Sequence, residues 1–567
     1  MTKILTRTFD PTVAHHLMTE GFSRPIAQAL AARGIEDASE LSVNWQGLIP
    51  AEVLDGTTEA AERLILARER SELVTVVADY DCDGATACSV AVKGLSAMGI
   101  RANYFVPDRV VHGYGLSTAV VDLLAQRQPK PDLLLTVDNG ISSVAAIEHA
   151  KSLGMDVIVT DHHLPGAVEP QACCIVNPNK KGCTFPSKNL AGVGVIYYVL
   201  LRLRTLLRER GVYTTATQPR LDQFVDLVAL GTVADVVKLD KNNRILVAQG
   251  LKRIRLGGAQ PGVSALYRIA GKDPLCANVR DFGFALGPRI NAAGRLSSME
   301  SGIECLLATD QNTALTFAQE LNSINSERRE LETEMQQTAE EAIAAMDLQK
   351  CATLSLYDDC FNEGIVGLVA SRIKERIHRP VFAFAPSENG LLKGSGRSIP
   401  GVHLRDMLDL VSRELGDKMP RFGGHAAAAG LTLQKEALPD FKRLFEETVR
   451  RNIDATLLER QVQTDGALAP DEINFSLIEA IDSQIWGQGF EAPLFANQFR
   501  VRRQTLLKGA HLKLWLELGG EMFDAIFFRH SSLLPETVTL AYRPSLNEYM
   551  GQRKVQLIIE AAEDAHN

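Results

Sequence analysis

Three carboxylates stand at alternate positions in the run VVADYDCDGATA: Asp79, Asp81 and Asp83, directly after an apolar stretch and just before Gly84. In extended backbone alternate residues share a face, so three acids converge within one short loop. Left alone they repel and raise one another's pKa values, a penalty that a bound divalent cation removes. One aspartate serves as the cap of a following helix; three exceed what a cap needs. The same chemistry recurs in LLLTVDNG, which carries Asp138, and in DVIVTDHH, which carries Asp161, His162 and His163. GTVADVV adds Asp235 in an apolar context, where an unpaired carboxylate is costly. Carboxylates with imidazole and no thiolate favour Mg²⁺ or Mn²⁺ over structural zinc. Cys173, Cys174 and Cys183 lack the spacing of a zinc knuckle.

Loops of this kind need strands to aim them. From Val74 onward the apolar runs VTVVAD, RANYFVP, DLLLTVD, DVIVTD and ACCIVNP alternate with helix-like stretches. Continuous runs of this length predict buried parallel strands with crossover helices, in an α/β region reaching about Leu256. Sites in open parallel sheets form at the carboxyl ends of strands, so the acidic loops can meet. The segment 1–45 reads as a helical lead-in, and 46–300 as the domain that carries the acids. Residues 301–346 read as a connecting helix: from Asp310 to Met346 there is neither Gly nor Pro, and Leu321, Ile324, Leu331, Met335, Ala339 and Ala342 follow a three-and-four spacing. A second, smaller α/β domain is expected over 347–460, with the strand-like runs ATLSLY and PVFAFAP. Short alternating runs over 461–567 predict a small antiparallel barrel or sandwich.

At 567 residues the chain exceeds the ~250–300 at which single cores stop growing, so several domains are required. A net charge of −9 excludes a generically basic nucleic-acid coat protein but not a basic groove on an acidic body. No run of about 18 apolar residues is present to span a membrane. The nine cysteines, odd in number and never spaced CxxC, read as reduced thiols, so a soluble, cytoplasmic protein is expected.

Further glycine-rich and basic segments admit two readings each. HGYGLS, from His112 to Ser117, is a surface turn or a ligand-approaching one. In GPRINAAGR, Arg289 and Arg295 offer bidentate donors suited to backbone phosphates, or ordinary surface packing. In GGHAAAAG, Gly423 and Gly424 expose main-chain N–H groups and the alanine run reads as the start of a close-packed helix, an anion site to which His425, Ser395 and Arg397 can add donors. In the C-terminal runs Arg500, Arg502, Arg503, Lys508 and Lys513 cluster, with Phe499 and Trp515 as candidate stacking platforms.

The stretches TVVADYDCDGATA, TVDNGISS, VTDHHLPG and LGTVADVV resemble the successive motifs of the DHH phosphoesterase superfamily. NPNKKGCTFPSKNLAGVGV, FALGPRINAAGRL, LKGSGRSI and FGGHAAAAGL resemble that superfamily's single-strand-specific 5′→3′ DNA exonucleases, from about residue 45 to the end. The resemblance implies a DHH-type parallel-sheet domain, a DHH-associated α/β domain joined to it by the long helix, and a C-terminal OB-like β-barrel. It implies hydrolysis of phosphodiesters with one or two Mg²⁺ or Mn²⁺ ions, releasing 5′-mononucleotides, in recombinational and mismatch DNA repair. Carried over by motif, Asp81, Asp83, Asp138, His162 and Asp235 are metal ligands, Asp138 the bridging one, Asp79 an acidic position beside them, and His163 the residue facing the scissile phosphate. Arg109 and Tyr114 would line the substrate, and the GGH loop would hold it opposite the metals, the long helix setting a gap for one strand. The implied partners are single-stranded DNA, a RecQ-type helicase and the single-strand binding protein, with the enzyme a monomer. Two other readings compete: a DHH phosphodiesterase acting on short oligonucleotides or cyclic dinucleotides, and a non-catalytic DNA-binding scaffold.

Overall fold

The computed structural model describes residues 2–108, 112, 115–344, 346–507, 509–549 and 552–563. Arg109, Tyr114 and Lys508 lie outside the described residues. The chain divides into two compact units: residues 38–326 with 484–492, and residues 1–37 with 327–483 and 493–567.

The first unit is built on a parallel sheet of five strands in the order Arg101–Phe105, Leu73–Ala78, Leu133–Val137, Asp156–Thr160, Cys174–Val176. The central strands are buried along almost their whole length, which is why they read as unbroken apolar runs. One face is covered by helices Thr118–Ala125 and Val144–Ser152, whose Val120, Val121, Leu124 and Ile147 pack on Val77, Leu134, Val157 and Val159. Against the other lie helices Cys82–Ala97 and Gly192–Glu209. Beyond Val176 the described residues of this unit are helical or irregular.

In the second unit a five-stranded sheet runs in the order Arg421–Gly424, Ala428–Gln434, Leu391–Arg397, Val381–Pro386, Leu354–Tyr357. Only the last two strands pair in parallel. Its core is an aromatic cluster in which the Phe382 ring meets Phe441 and Phe445 edge-on at 5.3 and 5.2 Å. The C-terminal strands Phe495–Leu507, His511–Leu518, Glu521–Phe527, Thr537–Tyr549 and Gln552–Ala562 close into a barrel. It is not wholly antiparallel, because Glu521–Phe527 pairs in parallel with Gln552–Ala562.

The N-terminal segment departs from the helical lead-in expected of it. Helices Pro11–Thr19 and Arg24–Ala31 are present, but Thr2–Thr6 is a strand paired in parallel with Arg460–Thr464. The buried Arg33–Asp465 ion pair, 2.7 Å, fastens the same two parts of the chain. A strand whose partner lies so far along the chain leaves no local signature.

The long helix spans Gln311–Ala344, about 51 Å at 1.5 Å per residue. Its buried stripe runs through Leu321, Asn325, Glu332, Met335, Ala339 and Ile343; Leu331 is half-buried and Ala342 exposed. Glu332 tolerates burial because Arg328, at 2.7 Å, and Arg372, at 3.0 Å, both bind it. Among the described residues no helix is long and apolar enough to cross a membrane.

Candidate metal centre

The acids gather where the strands end. Asp79 follows Leu73–Ala78 and is 5% exposed, with an Oδ1 that has no hydrogen-bond partner among the described residues. Asp81 caps helix Cys82–Ala97 by accepting from the Gly84 N–H at 2.9 Å. Asp83, in the first turn, is fully buried and accepts from the N–H groups of Gly192 at 2.5 Å and Val193 at 3.0 Å, the start of helix Gly192–Glu209. Asp138 follows Leu133–Val137 in a left-handed conformation, φ 63°, that aspartate and asparagine tolerate best after glycine. Asp235 closes helix Val225–Ala234. His162 Nε2 stands 3.1 Å from Asp138 and 3.4 Å from Asp235.

These side chains form three overlapping groups, Asp79–Asp81–Asp138, Asp83–His162–Asp235 and Asp138–His162–His163, with the offered ligand atoms of each within 4.8 Å of one another. Burial pushes the carboxyls of Asp79, Asp138 and Asp235 well above the usual range, and neighbouring aspartates push them further. Asp83 rises to about 7 by burial and the charge of Asp81, against the two backbone donors that hold it down. His162 is lowered to about 4 by burial and the charge of His163. Its charged form is therefore disfavoured, which leaves Nε2 able to act as a cation ligand at its short approaches to Asp138 and Asp235. Burial also opposes charge on His163, but the hydrogen bond to Asp161, 2.8 Å, outweighs it and raises that pKa.

No lysine or arginine among the described residues pairs with Asp79, Asp81, Asp83 or Asp235. An oxygen-rich set with an imidazole, repulsion among the aspartates that no lysine or arginine pairs at Asp79, Asp81, Asp83 or Asp235 among the described residues, and the orphaned Asp79 oxygen together fit a hard divalent cation.

Three supporting residues carry no motif-level signal of their role. Asp161 spends its carboxylate on the N–H groups of Ile141, His162 and His163 and on the His163 ring, so it aims the histidines. Asn291 accepts from the Cys82 N–H at 2.7 Å and ties helix Gly287–Leu296 to the first acidic loop. Gly192 leaves room for Asp138: a Cβ there would stand 2.4 Å from the Asp138 Cβ. The NAAGR run has the same logic, since a Cβ on Gly294 would lie 1.9 Å from the Tyr80 carbonyl oxygen. Arg289 and Arg295 sit on that helix; Arg289 donates to Asn322 at 3.0 Å and to the Ala285 carbonyl at 2.6 Å, which gives it a structural share.

In the second unit Ser395 and Arg397 fall on one strand and Gly423 and Gly424 on another, either side of Ala428–Gln434, with Ser395 opposite Gly430 and Gly430 opposite Gly423. KGSGR alternates by face: Gly394 and Gly396 admit the rings of Phe384 and Phe382, while Ser395 and Arg397 hydrogen-bond each other on the other side. The alanine run after His425 is not a helix. It forms the turn of a hairpin, closed by the His425 N–H donating to the Ala428 carbonyl at 2.8 Å, and then the strand Ala428–Gln434. Gly424, at φ 136°, has no room for a Cβ beside Ala429 and sets this turn, overriding alanine's helix preference. The expected helix N-terminus is absent there, and what remains is a side-chain-free strip of sheet beside Ser395 and Arg397.

The barrel corrects two expectations. Phe499 is buried in the barrel core, edge-on to Tyr542 at 5.4 Å, and offers no stacking surface. Arg500 pairs with Glu536, Arg502 with Glu517 and Lys513 with Asp524, so these cations are largely neutralised. Trp515 stays half-buried with Arg503 over its ring at 4.9 Å.

Acids and histidines at the ends of a parallel sheet, in a frame matched by the DHH family N-terminal domain over residues 73–232, place the chain among the DHH phosphoesterases. A DHHA1 domain matches residues 349–451 and a RecJ OB domain residues 464–561. The single-stranded-DNA-specific exonuclease RecJ of Salmonella typhimurium is 45% identical and that of Escherichia coli 44% identical, each alignment covering 94% of both chains. The crystal structure of RecJ in complex with Mn²⁺ from Thermus thermophilus superposes with a TM-score of 0.84 at 28% identity, over all of this chain and 80% of that one. A second structure from that organism holds Mg²⁺. The chain belongs to the RecJ family.

Proposed function

We propose that this protein is a divalent-metal-dependent exonuclease that degrades single-stranded DNA from 5′ to 3′, releasing 5′-mononucleotides, in recombinational and mismatch repair. The observation that carries the reading is the convergence of Asp79, Asp81, Asp83, Asp138, His162 and Asp235, drawn from distant loops, with no lysine or arginine pairing Asp79, Asp81, Asp83 or Asp235 among the described residues. These six residues hold Mg²⁺ or Mn²⁺, with Asp138 common to two of the ligand groups. The cations, when bound, supply Lewis-acid polarisation of the phosphoryl group and lower the pKa of water. His162 offers a neutral Nε2. His163, aimed by Asp161, which favours its charged form, donates a hydrogen bond to a phosphoryl oxygen of the scissile group and so favours the charge that builds there.

In this reading residues 46–300 form the catalytic domain and 301–346 the connecting helix. Residues 347–460 hold the substrate through Ser395, Arg397, Gly423, Gly424 and His425, and 461–567 bind single-stranded DNA; Arg109, Tyr114, Arg289 and Arg295 contact phosphate or base. The enzyme works in the cytoplasm as a monomer, on strands opened by a RecQ-type helicase and coated by the single-strand binding protein. With end-labelled single strands, mononucleotides should appear only when the 5′ end is free and Mg²⁺ or Mn²⁺ is present. Digestion of 5′-blocked strands, or digestion in chelator, overturns the reading. Asp81→Ala and His162→Ala should each abolish cleavage in a folded protein; activity retained in either removes the metal-site assignment.

Trp515 is the stacking platform that the barrel retains. Trp515→Ala is expected to weaken single-strand binding by about 1–3 kcal/mol, read by fluorescence anisotropy at fixed salt, with the cleavage rate on saturating DNA unchanged.

A further inference from the structure

The turn Trp486–Phe490 belongs by its contacts to the catalytic unit, although the chain on both sides of it belongs to the other. It is a compact knot. The Gly487 N–H donates to the Phe490 carbonyl at 2.9 Å and the Phe490 N–H to the Gly487 carbonyl at 3.1 Å, while the Trp486 and Phe490 rings stack at 5.0 Å. Phe490 is 3% exposed, with the guanidinium of the buried Arg244 over its ring at 4.2 Å.

What this knot grips is the chain just after Asp235. The Leu239 N–H donates to the Gln488 carbonyl at 2.8 Å, and the Leu239 carbonyl accepts from Arg244 at 3.1 Å. The absent side chains of Gly487 and Gly489 make the fit: a Cβ at Gly487 would lie 2.4 Å from Leu239 Cδ1, and one at Gly489 2.6 Å from Lys238 Cγ. At its other end the segment is fixed by the Asp235 N–H bonded to the Gly231 carbonyl at 2.9 Å. Between the two anchors Val236, a β-branched residue 60% exposed, sits at φ 63°, a conformation such residues adopt only when their surroundings impose it. The Val236 N–H is bonded to the Val233 carbonyl at 3.3 Å, and beyond it the Lys238 carbonyl accepts from Asn243 Nδ2 at 2.9 Å, so the knot at Leu239 acts with these bonds in holding the segment.

We infer that the knot Trp486–Phe490 is a positioning element for Asp235, fixing through Leu239 and Arg244 the path of residues 235–239 and hence the aim of the carboxylate toward His162 and Asp83. The inference rests on Asp235 being a cation ligand. Partners outside the ligand shell typically contribute about 10–100-fold to metal affinity by orienting ligands. Gly487→Val, which must displace Leu239, is therefore expected to weaken Mn²⁺ binding by about tenfold, measured on the full chain by the electron-paramagnetic-resonance signal of free Mn²⁺. Leu239→Ala added to Gly487→Val makes room for the new side chain and should restore most of the affinity, a rescue that a merely structural knot has no reason to give. Should Gly487→Val not fold, Phe490→Leu, which removes the ring beneath Arg244 without adding bulk, carries the same expectation. A folded Gly487→Val or Phe490→Leu protein with lower thermal stability but unchanged Mn²⁺ affinity overturns the inference, provided Asp235→Asn loses affinity. Unchanged affinity in Asp235→Asn overturns the ligand reading and the inference with it.

Discussion

Asp138→Asn is expected to lower exonuclease turnover by about 10³–10⁴-fold while the protein folds and melts no earlier than the parent in chelator. The rate follows from geometry. Asp138 belongs to two of the three ligand groups and follows a central strand of the sheet, so its charge is shared by the whole cluster. Losing a ligand that holds cations against the phosphoryl group forfeits several kcal/mol of charge stabilisation, and each ~1.4 kcal/mol is tenfold in rate. Asparagine is the right probe because it keeps the left-handed backbone at φ 63° and the Cβ that fits against Gly192. Alanine would add backbone strain to the loss of the ligand. Without metal the substitution removes a buried carboxylate whose ionisation is opposed by burial first and by Asp83, Asp81 and Asp235 next. The apoprotein should consequently gain a few degrees of melting temperature, by differential scanning fluorimetry. Turnover within tenfold of the parent, under saturating Mn²⁺ and DNA, rules out Asp138 as a ligand.

The convergence of the acidic loops was legible because the sheet is parallel and buried. Each apolar run ends where its chain leaves the sheet, and a carboxylate or imidazole at that point has few uses other than chemistry, which is why Asp81, Asp138 and His162 could be read together. The supporting residues were hidden because their function is spatial. Asp161 looks like one more acid until its oxygens are seen to be engaged by Ile141, His162 and His163, and Gly192 looks like a loop glycine until Asp138 is seen against it. The alanines after His425 misled through propensity: alanine favours a helix when alone, but strand pairing with Leu391–Arg397 and the φ of Gly424 decide here. Phe499 misled through composition, since an aromatic between arginines on a strand points either out to a ligand or into the barrel, and only closure of the barrel selects.

The same repulsion that marks the site makes the stability of the protein depend jointly on pH and cation. In an unfolded chain these aspartates titrate near ~3.9. In the folded apoprotein Asp83 titrates at about 7, raised by burial and by Asp81, and Asp79, Asp138 and Asp235 are raised well above the usual value. Between the unfolded and folded values the native state therefore holds more protons than the unfolded state, and stability falls as pH rises. For Asp83 that loss begins near pH 4 and is complete above about 7. A bound cation favours the charged carboxylates and reverses the slope. The melting temperature in chelator should thus decline from pH 5 to pH 8, whereas in saturating Mn²⁺ it should hold or rise. At pH 8 and a free Mn²⁺ concentration 100 times its dissociation constant, the gap should reach about 2.7 kcal/mol, or roughly 5 °C for a unit of this size. Asp138→Asn should flatten the decline in chelator and shrink the Mn²⁺ gain, because one buried charge and one ligand leave together. Parallel pH profiles with and without Mn²⁺ would place the cation elsewhere, since binding at these raised carboxylates requires the protons to leave.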